Sequence, residues 1–139
     1  MIMIHSYSIL FSVLLLCACH TAPSKTQPAN VASNTHNCDT SAGYVWSTFR
    51  NSCVLPYEAG ITLLPIDVTL DPRQAAFLIF NEDETQAEVF IPGREGSFIL
   101  ERKGQEGGYT WVSGKLTVFA WKGYVLQESG KTLYHGDKF

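Results

Sequence analysis

Few residues in this chain are equipped to do chemistry. The four cysteines fall in two groups, Cys17 with Cys19 and Cys38 with Cys53, and the histidines are His5, His20, His36 and His135. A thiolate is a nucleophile and an imidazole a base, but a catalytic pair needs both beside an orienting group. The sequence has no G-x-S-x-G elbow, no phosphate-cradling P-loop and no H-E-x-x-H. His36 and Cys38 are too few ligands for structural zinc. The acidic run Glu82-Asp83-Glu84 lacks the ligand spacing and glycine of a calcium loop and reads as a solvated hairpin tip. Residue types alone leave paired carboxylates for glycoside chemistry open, yet no substrate cleft can be argued in a module of about a hundred residues with no long loops. The expectation is a protein that is not an enzyme and takes no metal or cofactor.

Composition narrows the class. The chain has 139 residues, with ten Lys plus Arg against thirteen Asp plus Glu, a net charge of −3. That balance argues against nucleic acid, whose binders carry a basic face. Hydrophobic residues make up 45%, enough for one small core. The apolar run Ile9–Leu16 is too short to span a bilayer and suits the core of an export signal. It leads into Leu16-Cys17-Ala18-Cys19, which resembles the bacterial lipobox. The resemblance implies cleavage after residue 18 and acylation of Cys19; Cys17, preceded by bulky Leu16, is the weaker candidate. The region before the run has no Lys or Arg, a departure from export signals. An uncleaved anchor and a plain secretory signal are the alternatives. His20 follows Cys19 where inner-membrane lipoproteins carry Asp, so the expected location is the outer membrane, by way of acyl chains.

Residues 19–37 are small and polar, with one large aliphatic residue, Val31. No face of such a segment buries well, so it reads as a lipidated cysteine and flexible tether. Residues 38–60 form a clamped segment: in an oxidising compartment Cys38 and Cys53 read as one disulfide. Closing a loop of about fifteen residues is worth roughly 3 kcal/mol in the chain-entropy account. Tyr44, Trp46 and Phe49 inside it cover the disulfide and core edge, or Tyr44 and Trp46 form a sugar-binding patch.

From residue 61 to 139 the text is strand-like. Ile61–Leu70, broken by Pro65, reads as an edge strand or extended lead-in. Ala75–Phe80 and Gln86–Ile91 form a hairpin around the acidic tip. Ser97–Arg102, Lys115–Trp121, Tyr124–Glu128 and Thr132–His135 follow at glycine-punctuated intervals of about ten residues. No helical period follows the signal. The expectation is all-β, an antiparallel sandwich or small barrel.

Gly107-Gly108-Tyr109, Gly114-Lys115, Trp121-Lys122-Gly123 and Gly130-Lys131-Thr132-Leu133-Tyr134 occur in that order after the acidic hairpin. Across residues 75–136 this succession resembles the membrane-bound or periplasmic inhibitors of C-type lysozyme. The resemblance implies an eight-stranded antiparallel barrel that plugs the lysozyme cleft. A loop of pattern S-G-x-x-Y meets the catalytic carboxylates, and a lysine from a later turn pairs with the catalytic aspartate. Tyr109 matches the loop tyrosine and Lys122 the lysine. Gln105 stands where the family has serine and Glu106 where it has glycine. The family's disulfide between first and last strands has no counterpart, since no cysteine follows Cys53.

The leading expectation is therefore a lipid-anchored lysozyme inhibitor, with residues 103–109 and 121–123 side by side on one rim. The alternative is a non-enzymatic binding lipoprotein on the same barrel, with a glycan or protein partner and an exposed patch of Tyr44, Trp46 and Trp111.

Overall fold

The computed structural model describes the backbone of residues 31–32 and the whole of 36–67 and 69–136. The signal segment 1–18, the proposed lipid site Cys19 and most of the 19–37 tether lie outside them.

The chain is all-β, built on a closed barrel. Its eight strands are β4 (Ile61–Pro65), β5 (Ala76–Phe80), β6 (Gln86–Phe90), β7 (Ser97–Lys103), β8 (Thr110–Ser113), β9 (Leu116–Ala120), β10 (Tyr124–Glu128) and β11 (Lys131–His135). Each pairs antiparallel with the next, and β11 returns to β4 at Tyr134↔Pro65 and His135↔Leu64. Closure removes the sheet's edges, which a small antiparallel sheet otherwise leaves open to aggregation. It also corrects the reading of Ile61–Leu70 as an edge strand. β4 has two neighbours, and Pro65 is tolerated because it is the last residue, where a missing N–H breaks no ladder bond.

Alternation fills the interior. Leu63, Leu78, Val89, Leu100, Val118 and Leu126 point inward and are fully buried, each contributing roughly 1.5–3 kcal/mol by its removal from water. Ala76 and Ala87 supply the small positions between them. Phe80, Trp111 and Tyr124 meet at centroid separations of 4.7, 5.1 and 6.2 Å and close one end of the barrel.

The clamped segment lies outside, against the wall made by β5, β6 and β7. It contains β2 (Val45–Ser47), β3 (Ser52–Val54) and the one-turn helix α1 (Pro56–Ala59), and Cys38 and Cys53 are disulfide-bonded. α1 is too short for any periodicity to betray it. It runs so close to the wall that a Cβ on Gly60 would sit 2.8 Å from the Leu78 carbonyl oxygen.

Within the expected tether, β1 (Val31–Ala32) pairs with Phe98 and Ser97. β8 reaches only Glu101–Lys103 of β7, so the first half of that strand has open backbone groups. Pairing with them requires no apolar face, which is why composition alone pointed to a free tether here.

Candidate partner-binding rim

In a meander, alternate connections leave the same end of the barrel. The β5–β6 tip (81–85), the β7–β8 loop (104–109) and the β9–β10 turn (121–123) share one end, the rim, with the last residue of β11. The loop and the turn are neighbours there. β8 and β9 pair at Thr110↔Phe119, one residue past the loop and two before the turn. Gln105, Glu106, Tyr109 and Lys122 therefore come to one end of the molecule from positions up to seventeen apart in the sequence.

The loop is tight. The Gly108 N–H donates to the Gln105 carbonyl at 2.9 Å, and Gly107 has φ +88°, the signature of a type II turn with Glu106 and Gly107 at its centre. Gln105 and Glu106 are exposed on it. Tyr109 serves differently: it is half-buried against the barrel core, under the Arg102 guanidinium at 4.5 Å from its ring centroid. Arg102 also donates to the Asp83 carbonyl at 3.2 Å, tying the loop's base to the acidic tip.

The tip is equally constrained. Asn81 Oδ1 accepts from the Gln86 N–H, and Asp83 Oδ1 accepts from the Thr85 hydroxyl at 2.7 Å and N–H at 3.2 Å. Those two bonds, the hydroxyl first, hold the Asp83 carboxyl below the usual carboxylate range. The Trp111 indole N–H donates to the Glu84 carbonyl at 2.8 Å. Burial, with the Glu84 charge nearby, pushes the Tyr124 phenol above its ordinary value.

Lys122 stands at the apex of a three-residue turn. Ala120 pairs with Tyr124, the Trp121 N–H donates to the Gly123 carbonyl at 2.8 Å, and Lys122 takes φ +50°. Its ammonium lies 5.3 Å from the Trp121 ring centroid. Trp121 is 61% exposed, the most exposed large hydrophobic residue described. Its ring meets His135 edge-on at 6.3 Å.

Trp111 does not join Tyr44 and Trp46 in the expected exposed patch. Trp111 is 4% exposed inside the barrel. Tyr44 and Trp46 belong to the clamped segment on the outer wall, where Trp46 stacks on His36 at 3.6 Å. Strand alternation leaves the facing of a tryptophan open until the register is known, and Trp111 falls on the inward side. Among the described residues no group of three or more His, Cys, Asp or Glu could hold a metal ion.

Sequence reasoning missed the short strand β8, which it left unread between Arg102 and Lys115, and two further features. Glu88, in the middle of β6, is fully buried and accepts from the hydroxyls of Ser47 and Ser97, both at 2.6 Å, and from the N–H groups of Thr48 and Phe49. The only signal was an acid between apolar neighbours in a strand. The other is a row on the outer wall, Phe119–Val125–His135–Leu64, set by the registers of β9, β10, β11 and β4.

No protein-family model matches the chain, and neither the curated proteins nor the solved structures give a match.

Proposed function

We propose that this protein is a lipid-anchored, non-enzymatic inhibitor of C-type lysozyme, held at the outer membrane through Cys19 and acting through its rim. The observation that carries the reading is the shared placement of the 104–109 loop and the Lys122 turn on neighbouring, paired strands. An exposed ammonium at a turn apex can enter a cleft lined by carboxylates, where partial exclusion of water strengthens the charge pair. The Gln105 amide can donate hydrogen bonds from the position where the family carries serine. Glu106, beside Gly107 at the turn's centre, contributes the negative charge that must stay clear of those carboxylates. A barrel packed with aliphatic side chains and stoppered by Phe80, Trp111 and Tyr124 offers a rigid mount.

The test is inhibition of egg-white lysozyme by the full chain extracted in mild detergent. Muramidase activity falling with dose, and spared by Lys122→Glu, is the expected result. Undiminished activity at all doses removes the reading for that enzyme.

The second reading, a binding lipoprotein with a glycan or another protein as partner, is favoured by the outer-wall row, where Leu64 stays 43% exposed beside Ile66 at 51%. It expects Leu64→Ser to abolish partner capture and Lys122→Glu to leave it intact.

A further inference from the structure

We infer that Trp121 is a further partner-contacting residue of the rim, a flat apolar anchor that also aims the Lys122 ammonium; this rests on the inhibitor reading above. Trp121 leaves 61% of its surface in water while the rest of the ring helps to line an apolar groove of about 430 Å³ with Ile66, Phe119, Val125, Thr132 and His135. A large ring left this exposed costs solvation. Tryptophans so placed are the commonest interface anchors, because they bury a wide face while freezing only two side-chain torsions.

The backbone fixes where the ring stands. The Trp121–Gly123 hydrogen bond closes the turn, and the pair Ala120↔Tyr124 roots it in the barrel. The His135 ring meets the indole edge-on from β11, and His135 Nε2 lies 3.4 Å from the Trp121 carbonyl oxygen. The indole face in turn attracts the ammonium at 5.3 Å. A lysine stem is otherwise free to rotate, so holding its head near one direction lowers the ordering cost of inserting it into a cleft. The partner these two groups fit has an acidic floor, for Lys122, next to an apolar lip, for Trp121.

The experiment measures the affinity of the full chain in detergent for immobilised egg-white lysozyme, for wild type, Trp121→Ala, Trp121→Phe, Lys122→Met and the double variant Trp121→Ala/Lys122→Met. Trp121→Ala should weaken binding about 30-fold, which is about 2 kcal/mol at 1.4 kcal/mol per factor of ten. Trp121→Phe should recover most of it, since it restores a ring. In the Lys122→Met background the loss from Trp121→Ala should shrink, because the ammonium it aims is gone. Binding by Trp121→Ala within threefold of wild type, with wild type retained, overturns this inference and leaves the inhibitor reading standing. Strictly additive losses overturn the aiming role. Wild type failing to bind at all overturns both. Urea midpoints within about 0.5 M of wild type for both Trp121 variants would establish that folding is not being read.

Discussion

The Ser47 hydroxyl donates to Glu88 Oε2 at 2.6 Å across 41 positions of sequence, and this bond fastens the disulfide-clamped segment to the barrel wall. Ser47 Oγ in turn accepts from the Arg50 N–H at 3.2 Å. Two hydroxyls and two backbone N–H groups donate to Glu88. Its burial is thus compensated by hydrogen bonds rather than by a counter-charge.

Removing that acceptor should be costly. Glu88→Ala leaves two buried hydroxyls and two backbone N–H groups without their partner, and should lower the unfolding free energy by about 3 kcal/mol. Glu88→Gln keeps the shape but turns an N–H₂ toward donors, and should cost about half as much. Urea unfolding checks both. Amide exchange at Thr48 and Phe49 should quicken in each variant before the barrel opens, and unchanged exchange there would contradict the fastening role.

The disulfide clamps a segment that lies outside the barrel's own strand pairing. Cys38→Ser/Cys53→Ser should lose roughly 3 kcal/mol by the chain-entropy estimate. The far-UV circular dichroism of the barrel should persist at room temperature, since β4–β11 pair only with one another and with β1. Collapse of the strand signal on reduction would show that the clamp is part of the folding unit.

The rim's stopper can be probed at Trp111. Trp111→Phe keeps the contacts with Phe80 and Tyr124 but strands the Glu84 carbonyl, and should cost about 1–2 kcal/mol while loosening the acidic tip. Trp111→Ala adds a cavity and should cost about 3–5 kcal/mol. Thermal melts of the two, compared with wild type, check the order.

At the opposite end, Arg94 in the β6–β7 turn grips Glu128 of β10 with bonds of 3.0 and 2.9 Å. The Arg94 hydrogen bond holds the Glu128 carboxyl below its ordinary 4.5. A lowered folded-state value means the pair stabilises above the ordinary value and ceases to as pH falls through the lower one. Both side chains are about a third exposed, so the contribution is under about 1 kcal/mol. Glu128→Gln should therefore be slightly less stable than wild type at pH 7, with the gap closing between about pH 5 and pH 3 and in about 1 M salt. A gap that persists at pH 3 would assign it to packing instead.

Gly60 offers a test of close approach. Its backbone is extended, so conformation does not demand glycine, but Cβ would meet the Leu78 carbonyl oxygen at 2.8 Å and Ile79 Cγ1 at 2.9 Å. Gly60→Ala should lower stability by about 1–3 kcal/mol through displacement of α1 from the wall. A melt unchanged from wild type would mean that the wall yields.

The sequence by itself determined the β class, the hairpin around the acidic tip and the Cys38–Cys53 disulfide, but left the four-residue strand β8 unread between Arg102 and Lys115. These rest on local signals: alternation along a strand, glycine at turns, two cysteines in one segment. Lys122 and Gly107 were likewise legible as turn residues. What the sequence left open is everything that depends on which face a strand turns inward and which strands meet. A period of two makes both faces of Thr110–Ser113 equally readable, and only the register to β7 and β9 sends Trp111 into the barrel and not onto its surface. Only closure gives β4 a second neighbour in β11 and so makes Pro65 the end of an interior strand. Only the stacking of one segment upon another turns Glu88 from a surface acid into a buried one, because three of its four donors come from residues 47–49, far off along the chain. The gathering of 104–109 and 121–123 on one rim is likewise a property of the meander, whose alternate connections must leave the same end.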